Sequence, residues 1–194
     1  RPSPASGGRE KNGSVMTDTP PLLFLPGLLC DAALWTHQTR HLADVAQPRV
    51  MEMTHDDSIP SMARHVLENA PPRFGLVGVS MGGYVALEIM RMDPSRVIRL
   101  ALINTSARPE TPETTERRKG FIALAKTDKF KGVAPNLFPY LIHASLLHDP
   151  DVGEVVLKMA ERVGREAFIR QQTAIMNRID SRPSLSAIQV PTLM

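Results

Sequence analysis

The stretch that most limits what this chain can fold into runs from Arg73 to Glu88, RFGLVGVSMGGYVALE. Phe74 to Val79 is a short apolar run, the pattern of a strand covered on both faces, and at Ser80 the spacing changes to that of a helix. The order is strand, tight turn, helix. Across the turn, Gly78, Ser80 and Gly82 spell G-x-S-x-G. A residue on so sharp a bend is strained, and its neighbours must lack a Cβ because strand and helix pass close together there. Ser80 is therefore the candidate nucleophile, with its hydroxyl at the carboxyl end of a parallel sheet. The N-terminus of the following helix offers free N–H groups and partial positive charge to a developing oxyanion, and the Met81 N–H is the expected donor. A glycine-rich turn with a capping serine is the alternative that the pentapeptide alone leaves open.

The flanking residues repeat the same rhythm. Leu22 to Leu25 forms a first buried strand, ended by Pro26-Gly27, and Asp31 N-caps a helix to about Val45 with Leu34, Trp35, Leu42 and Val45 on one side. That turn puts a second backbone N–H, on Leu28, near the carboxyl edge of the sheet; a plain turn accounts for the same residues. Pro48 to Thr54 is a further strand, with Val50, Met51 and Met53 apolar, followed by the charged loop His55-Asp56-Asp57. A metal or acid/base reading of that loop is weaker than a merely polar strand end. Ser58 to Ala70 carries Ile59, Met62, Val66 and Leu67 at helical spacing and stops at Pro71-Pro72. The helix after Ser80 closes near Asp93-Pro94, and Val97 to Ile103 is the next strand, ending in Asn104-Thr105-Ser106. Alternating strands and helices with short connections predict an α/β fold: a parallel sheet with helices on both faces.

After Ser106 the alternation stops. Residues 107–183 hold helical patterns and no strand: Thr114 to Lys126, around Asn136 to Leu147, Asp151 to Val163, and Arg165 to Ile179. An insertion of this kind after a sheet strand predicts a helical cap over the site, with Met159, Phe168 and Met176 as candidates to line an acyl pocket. Ile188 to Met194 begins another strand. The expected division is a polar, disordered leader over 1–16, a core over 17–106, the cap over 107–183, and the start of the next core strand over 184–194 with the remainder of the core missing.

Composition narrows the function classes. No run approaches the roughly 18 apolar residues of a membrane span, so no membrane partner is expected. Cys30 is the sole cysteine, which rules out an intrachain disulfide and a cysteine metal cluster, fits a cytoplasmic setting, and suits packing better than chemistry. The formal charge is +3, with the basic residues scattered apart from Arg117-Arg118-Lys119 and Lys126, Lys129 and Lys131. Those lie in amphipathic helix and loop, where a solvated face is a better reading than nucleic-acid binding. No cofactor or metal is called for.

Taken together, three segments resemble the α/β-hydrolase superfamily, in particular the small capped hydrolases that include enol-lactonases and carboxylesterases. They are Phe24-Leu25-Pro26-Gly27-Leu28-Leu29 as an oxyanion loop, Gly78-Val79-Ser80-Met81-Gly82-Gly83 as a nucleophile elbow, and Val190-Pro191-Thr192-Leu193-Met194 as the start of the strand that precedes the acid. Pro26 stands where the family commonly has histidine; the donor there is a backbone N–H, which the change leaves in place. The resemblance implies hydrolysis of a small ester or lactone with Ser80 as nucleophile and the Leu28 and Met81 N–H groups as oxyanion hole. It also places the triad acid and histidine beyond Met194, so a polypeptide ending there would be nearly inert. His143 and His148, in the expected cap, make poor substitutes for the base. The exposed edge of the last strand makes self-association an expectation. A catalytically silent ligand-binding or regulatory protein on the same scaffold is the competing reading.

Overall fold

The computed structural model describes residues 19–127 and 138–194; the expected leader, Asn136, Lys129 and Lys131 lie outside the described residues. Five strands form one sheet: β1 (Pro21–Leu25), β2 (Gln47–Val50), β3 (Phe74–Val79), β4 (Val97–Ile103) and β5 (Thr192–Leu193), in the order β2-β1-β3-β4-β5. Every pairing is parallel. β3, the strand that leads to Ser80, lies at the centre between β1 and β4, which explains its apolar run: Phe74, Gly75, Leu76 and Gly78 are all buried.

The helices are α1 (Thr36–His41), α2 (Ile59–Asn69), α3 (Met81–Met92), α4 (Pro112–Ala125) and α5 (Pro150–Met176). Ser58 caps α2, its Oγ accepting the Ser61 N–H at 3.3 Å, and the helix buries Ile59, Met62, Ala63 and Val66. α3 packs against α2 and the sheet and is buried from Met81 to Met90 except at Tyr84. Its one buried acid, Glu88, is paired bidentately with Arg91 at 2.6 and 2.9 Å. Arg96, at the entrance to β4, donates to the carbonyls of Leu67, Ala70, Pro71 and Pro72 and so fixes the end of α2 beside the sheet. The core between these layers holds Leu23, Phe24, Leu25, Phe74, Leu76, Met81 and Ile89, joined by Phe168 from α5.

Several elements differ from the sequence expectation, among them the last strand, which is confined to Thr192–Leu193. Asp31 does cap, its Oδ1 accepting the Ala33 N–H at 2.9 Å, but it opens a 3-10 turn (Ala32–Trp35) and then the short α1, not a helix to Val45. The chain must turn back after His41 so that Gln47 meets Pro21, and Val45 is left 63% exposed. The β2 ladder stops at Val50, although Met51 and Met53 beyond it remain buried. Described residues between 138 and 147 form two 3-10 turns, Phe138–Tyr140 and Ala144–Leu146, in place of a helix. Here the His143 ring accepts the Ser145 N–H, a local bond that competes with helical ones. The two helical patterns that meet at Gly164 form one long element with a break: Gly164 alone has φ 78° and ψ 170°, a conformation open to a residue without a Cβ. Between β4 and β5 no strand occurs among the described residues. No helix is long and apolar enough to cross a membrane, again among the described residues.

Candidate active site

Ser80 sits between β3 and α3 with φ 50° and ψ −114°, a backbone conformation that is costly for a residue with a Cβ and persists only where its surroundings fix it. The surroundings are explicit. Its N–H donates to the Ile103 carbonyl at the end of β4 (3.0 Å), and its carbonyl accepts the Thr105 hydroxyl (2.8 Å) and the Gly83 N–H (3.0 Å). The glycines make this possible. A Cβ at Gly78 would fall 2.4 Å from the Gly82 carbonyl oxygen, one at Gly82 would fall 2.1 Å from that of Leu25, and one at Gly83 would fall 2.3 Å from the Thr105 hydroxyl oxygen.

The loop after β1 lies directly across from the serine, with a Cβ built at Gly27 only 3.5 Å from that of Ser80. Leu29 is another non-glycine residue at positive φ, 58°. Its N–H donates to Oε1 of Gln171 at 3.0 Å, and Nε2 of the same side chain donates to the Met53 carbonyl at 2.9 Å. Gln171 is fully buried and spans from α5 to both loops at the carboxyl edge of the sheet. It therefore holds the backbone on which Leu28 rides. Among the described residues, neither the Leu28 N–H nor the Met81 N–H donates to any acceptor. Met81 follows Ser80 directly in the chain, and Leu28 lines the same cavity as Ser80.

Over Ser80 opens a cavity of about 350 Å³, walled by the loop at Gly27–Cys30, by Tyr84 and Asn104, and by side chains of α4 and α5. Of the expected pocket residues, Met159 is on the wall; Phe168 is packed in the core instead, and Ile175, not Met176, supplies the neighbouring surface. Arg118, also on the wall, donates to Glu110 (2.9 Å) and to Oε1 of Gln172 (2.7 Å). Arg178 binds the same carboxylate and lies over the Tyr84 ring, 4.3 Å from its centroid. Burial pushes the Glu110 carboxyl up, but the hydrogen bonds from Thr114 and Arg178 and the charges of Arg118 and Arg178 outweigh it and hold the group below the ordinary carboxylate value. Glu110 is thus an anion held between guanidiniums and is absent from the cavity wall.

None of the six histidines lines the cavity, and among the described residues neither does any carboxylate. His37 and His41 stack on each other, His55 and His65 pair with Glu52 and Asp56, and His143 bonds Ser145. Cys30 does reach the wall, but burial and the neighbouring Asp31 charge push its thiol up to about 11, so at neutral pH it is a protonated packing group.

Sequence reasoning does not single out Thr105 or Gln171. For Gln171 a signal exists, because Gln171-Gln172 interrupts the apolar face of the last helical pattern. Replacing Gln171 with leucine, similar in volume but unable to bond, leaves the Leu29 N–H and the Met53 carbonyl unpaired in a dry interior. This is expected to cost about 2–4 kcal/mol. Thermal unfolding followed by circular dichroism checks it, with a midpoint lowered by roughly 5–10 °C.

No family model matches the chain. A 93-residue segment is 33% identical to the pimeloyl-[acyl-carrier protein] methyl ester esterase of Klebsiella pneumoniae strain 342, covering 44% of this chain and 36% of that protein. The match thus spans about a third of that relative. Among solved structures, a thermophilic esterase from Thermogutta terrifontis superposes with a TM-score of 0.76 at 25% identity, over 89% of this chain and 69% of that one. The enol-lactonase from Burkholderia xenovorans LB400 superposes with a TM-score of 0.78 at 23% identity, over 89% and 71%. With its central β3, its strand-to-helix bend at Ser80 and these likenesses, the chain has the α/β-hydrolase fold in an incomplete form.

Proposed function

We propose that this chain carries the nucleophile and oxyanion site of a serine hydrolase acting on small carboxylic esters or lactones. The observation that carries the reading is Ser80 itself: a strained serine at the floor of a cavity, held by bonds to the end of β4 and the first turn of α3, with the Leu28 and Met81 N–H groups taken up by no described residue. In this reading Ser80 Oγ attacks the carbonyl carbon. The carbonyl oxygen takes up negative charge against the Leu28 and Met81 N–H groups, the alcohol leaves with a proton, and water then releases the acyl group. Residues 107–183 act as a cap, with α4 and α5 closing the cavity from above. The substrate is a small molecule, in keeping with a volume of about 350 Å³.

The second reading, a non-catalytic binding protein on this scaffold, is favoured by one observation, the absence of histidine and carboxylate from the described cavity wall. Prolonged exposure to an alkyl fluorophosphonate and subsequent peptide mass spectrometry separate the two. A single adduct on Ser80, lost in Ser80→Ala, is the expected result. Adducts scattered over surface serines and tyrosines with none on Ser80 would sink the hydrolase reading and leave the binding one.

A further inference from the structure

Among the described residues the charges around the cavity do not balance. Arg118 and Arg178 share the single carboxylate of Glu110, and Arg117, the third guanidinium of the group, has no carboxylate within ion-pair reach among the described residues. Arg117 is an exposed residue of α4 that also lines the cavity over Ser80. Its one close partner among the described residues is the Tyr140 ring, 5.1 Å from the guanidinium carbon to the ring centroid, and Tyr140 is on the wall as well. An aromatic contact of this kind orients a guanidinium without using its N–H groups, which stay available to a planar, two-oxygen acceptor.

The rest of the wall sets the shape of what lies between. Leu28, Phe121, Val156, Met159 and Ile175 present hydrocarbon, and low-dielectric walls strengthen the field of an unbalanced cation. At roughly 30 Å³ for each water-sized group, the cavity has room for on the order of a dozen non-hydrogen atoms. We propose that the site selects esters or lactones that also carry a free carboxylate, with Arg117 as the group that recognises it. This rests on the serine-hydrolase reading for the reaction, though not for the binding. The chemistry stays balanced: water adds across the acyl C–O bond, the alcohol leaves with a proton, and the second carboxylate is unchanged throughout. A solvated arginine at the rim would give the same exposure, but it gives no reason for an anion to be preferred inside, and that difference is measurable.

Monomethyl adipate and dimethyl adipate are close in size, about a dozen non-hydrogen atoms each, and differ by one methyl group and one charge. Calorimetric titration of the 194-residue chain at low ionic strength is expected to show the monoester binding about tenfold more tightly. The preference is expected to shrink in 1 M salt, where the Debye length is about 3 Å. Arg117→Gln is expected to reduce the monoester to the affinity of the diester, and Arg117→Lys, which keeps the charge and loses the planar fork, to fall between. Equal affinity for the two esters, no binding of the monoester, or a preference that survives Arg117→Gln would each overturn the proposal. The fluorophosphonate experiment fails separately: an adduct on Ser80 without anion preference defeats only carboxylate selection, and anion preference without an adduct defeats only the hydrolase.

Discussion

Gly82→Ala is expected to destroy the native strand-to-helix bend and with it most of the stability of the fold. The methyl group would lie 2.1 Å from the Leu25 carbonyl oxygen and 2.6 Å from its carbon, and both are backbone atoms of a strand paired on each side. A flexible side chain could swing away from such a contact, whereas a central strand can yield only by giving up its ladder bonds to β2 and β3. The cost is expected to reach about 3 kcal/mol or more, at the severe end for a single substitution. For a chain of this size that is roughly 10 °C or more in unfolding midpoint. Gly120→Ala is the control, because nothing lies within 4 Å of its added methyl group and it sits inside α4. There the same change is expected to raise stability by about 0.5–1 kcal/mol. Opposite signs for one chemical edit at two glycines would show that close approach, and not glycine content, is what the bend demands. Equal midpoints for the two variants would refute it.

The second large effect concerns turnover. The polypeptide of these 194 residues is expected to hydrolyse p-nitrophenyl acetate about 10⁶-fold more slowly than a serine hydrolase with a complete triad, because no histidine reaches the wall around Ser80. Amide donors and binding alone leave about 10³–10⁴ over water, so the rate is expected to be small and not zero. Free imidazole, added as an external base, is expected to raise the rate in the unaltered chain and to leave Ser80→Ala unmoved. An unassisted rate typical of a complete enzyme would mean that a base reaches Ser80 by a route the described residues do not offer.

Legibility followed the range of the interactions involved. β1, β3 and α3 can be placed from sequence because burial leaves a continuous apolar run in the strands and because the bend at Ser80 demands glycine on either side, and β4 because its run is apolar save Arg99, although only Val97 and Leu100 in it are buried. α1 is shorter than its pattern, since Leu42 and Val45 keep helical spacing while the chain has already turned to meet β1. The segment before α5 departs from its pattern for a related reason: the His143 side chain bonds its own neighbourhood, and periodicity does not register that competition. The candidate site divides in the same way. Ser80, Met81 and Leu28 are legible as neighbours of turns, but Thr105 on the Ser80 carbonyl and Gln171 on the Leu29 N–H are not, being 25 and 142 residues away from what they hold.

What the amino-acid order determined alone is therefore local: a buried strand, a cramped bend and a helix, set by hydrophobic period and by where a Cβ would collide. What only the tertiary structure decided is which distant groups meet there. The Gln171 bridge, the Glu110 anion shared by two arginines, and Arg117 on the cavity wall with no carboxylate partner among the described residues all depend on α4 and α5 folding back over the sheet edge. Helix propensity carries no information about that docking, because it is fixed by the packing of side chains far apart in the chain.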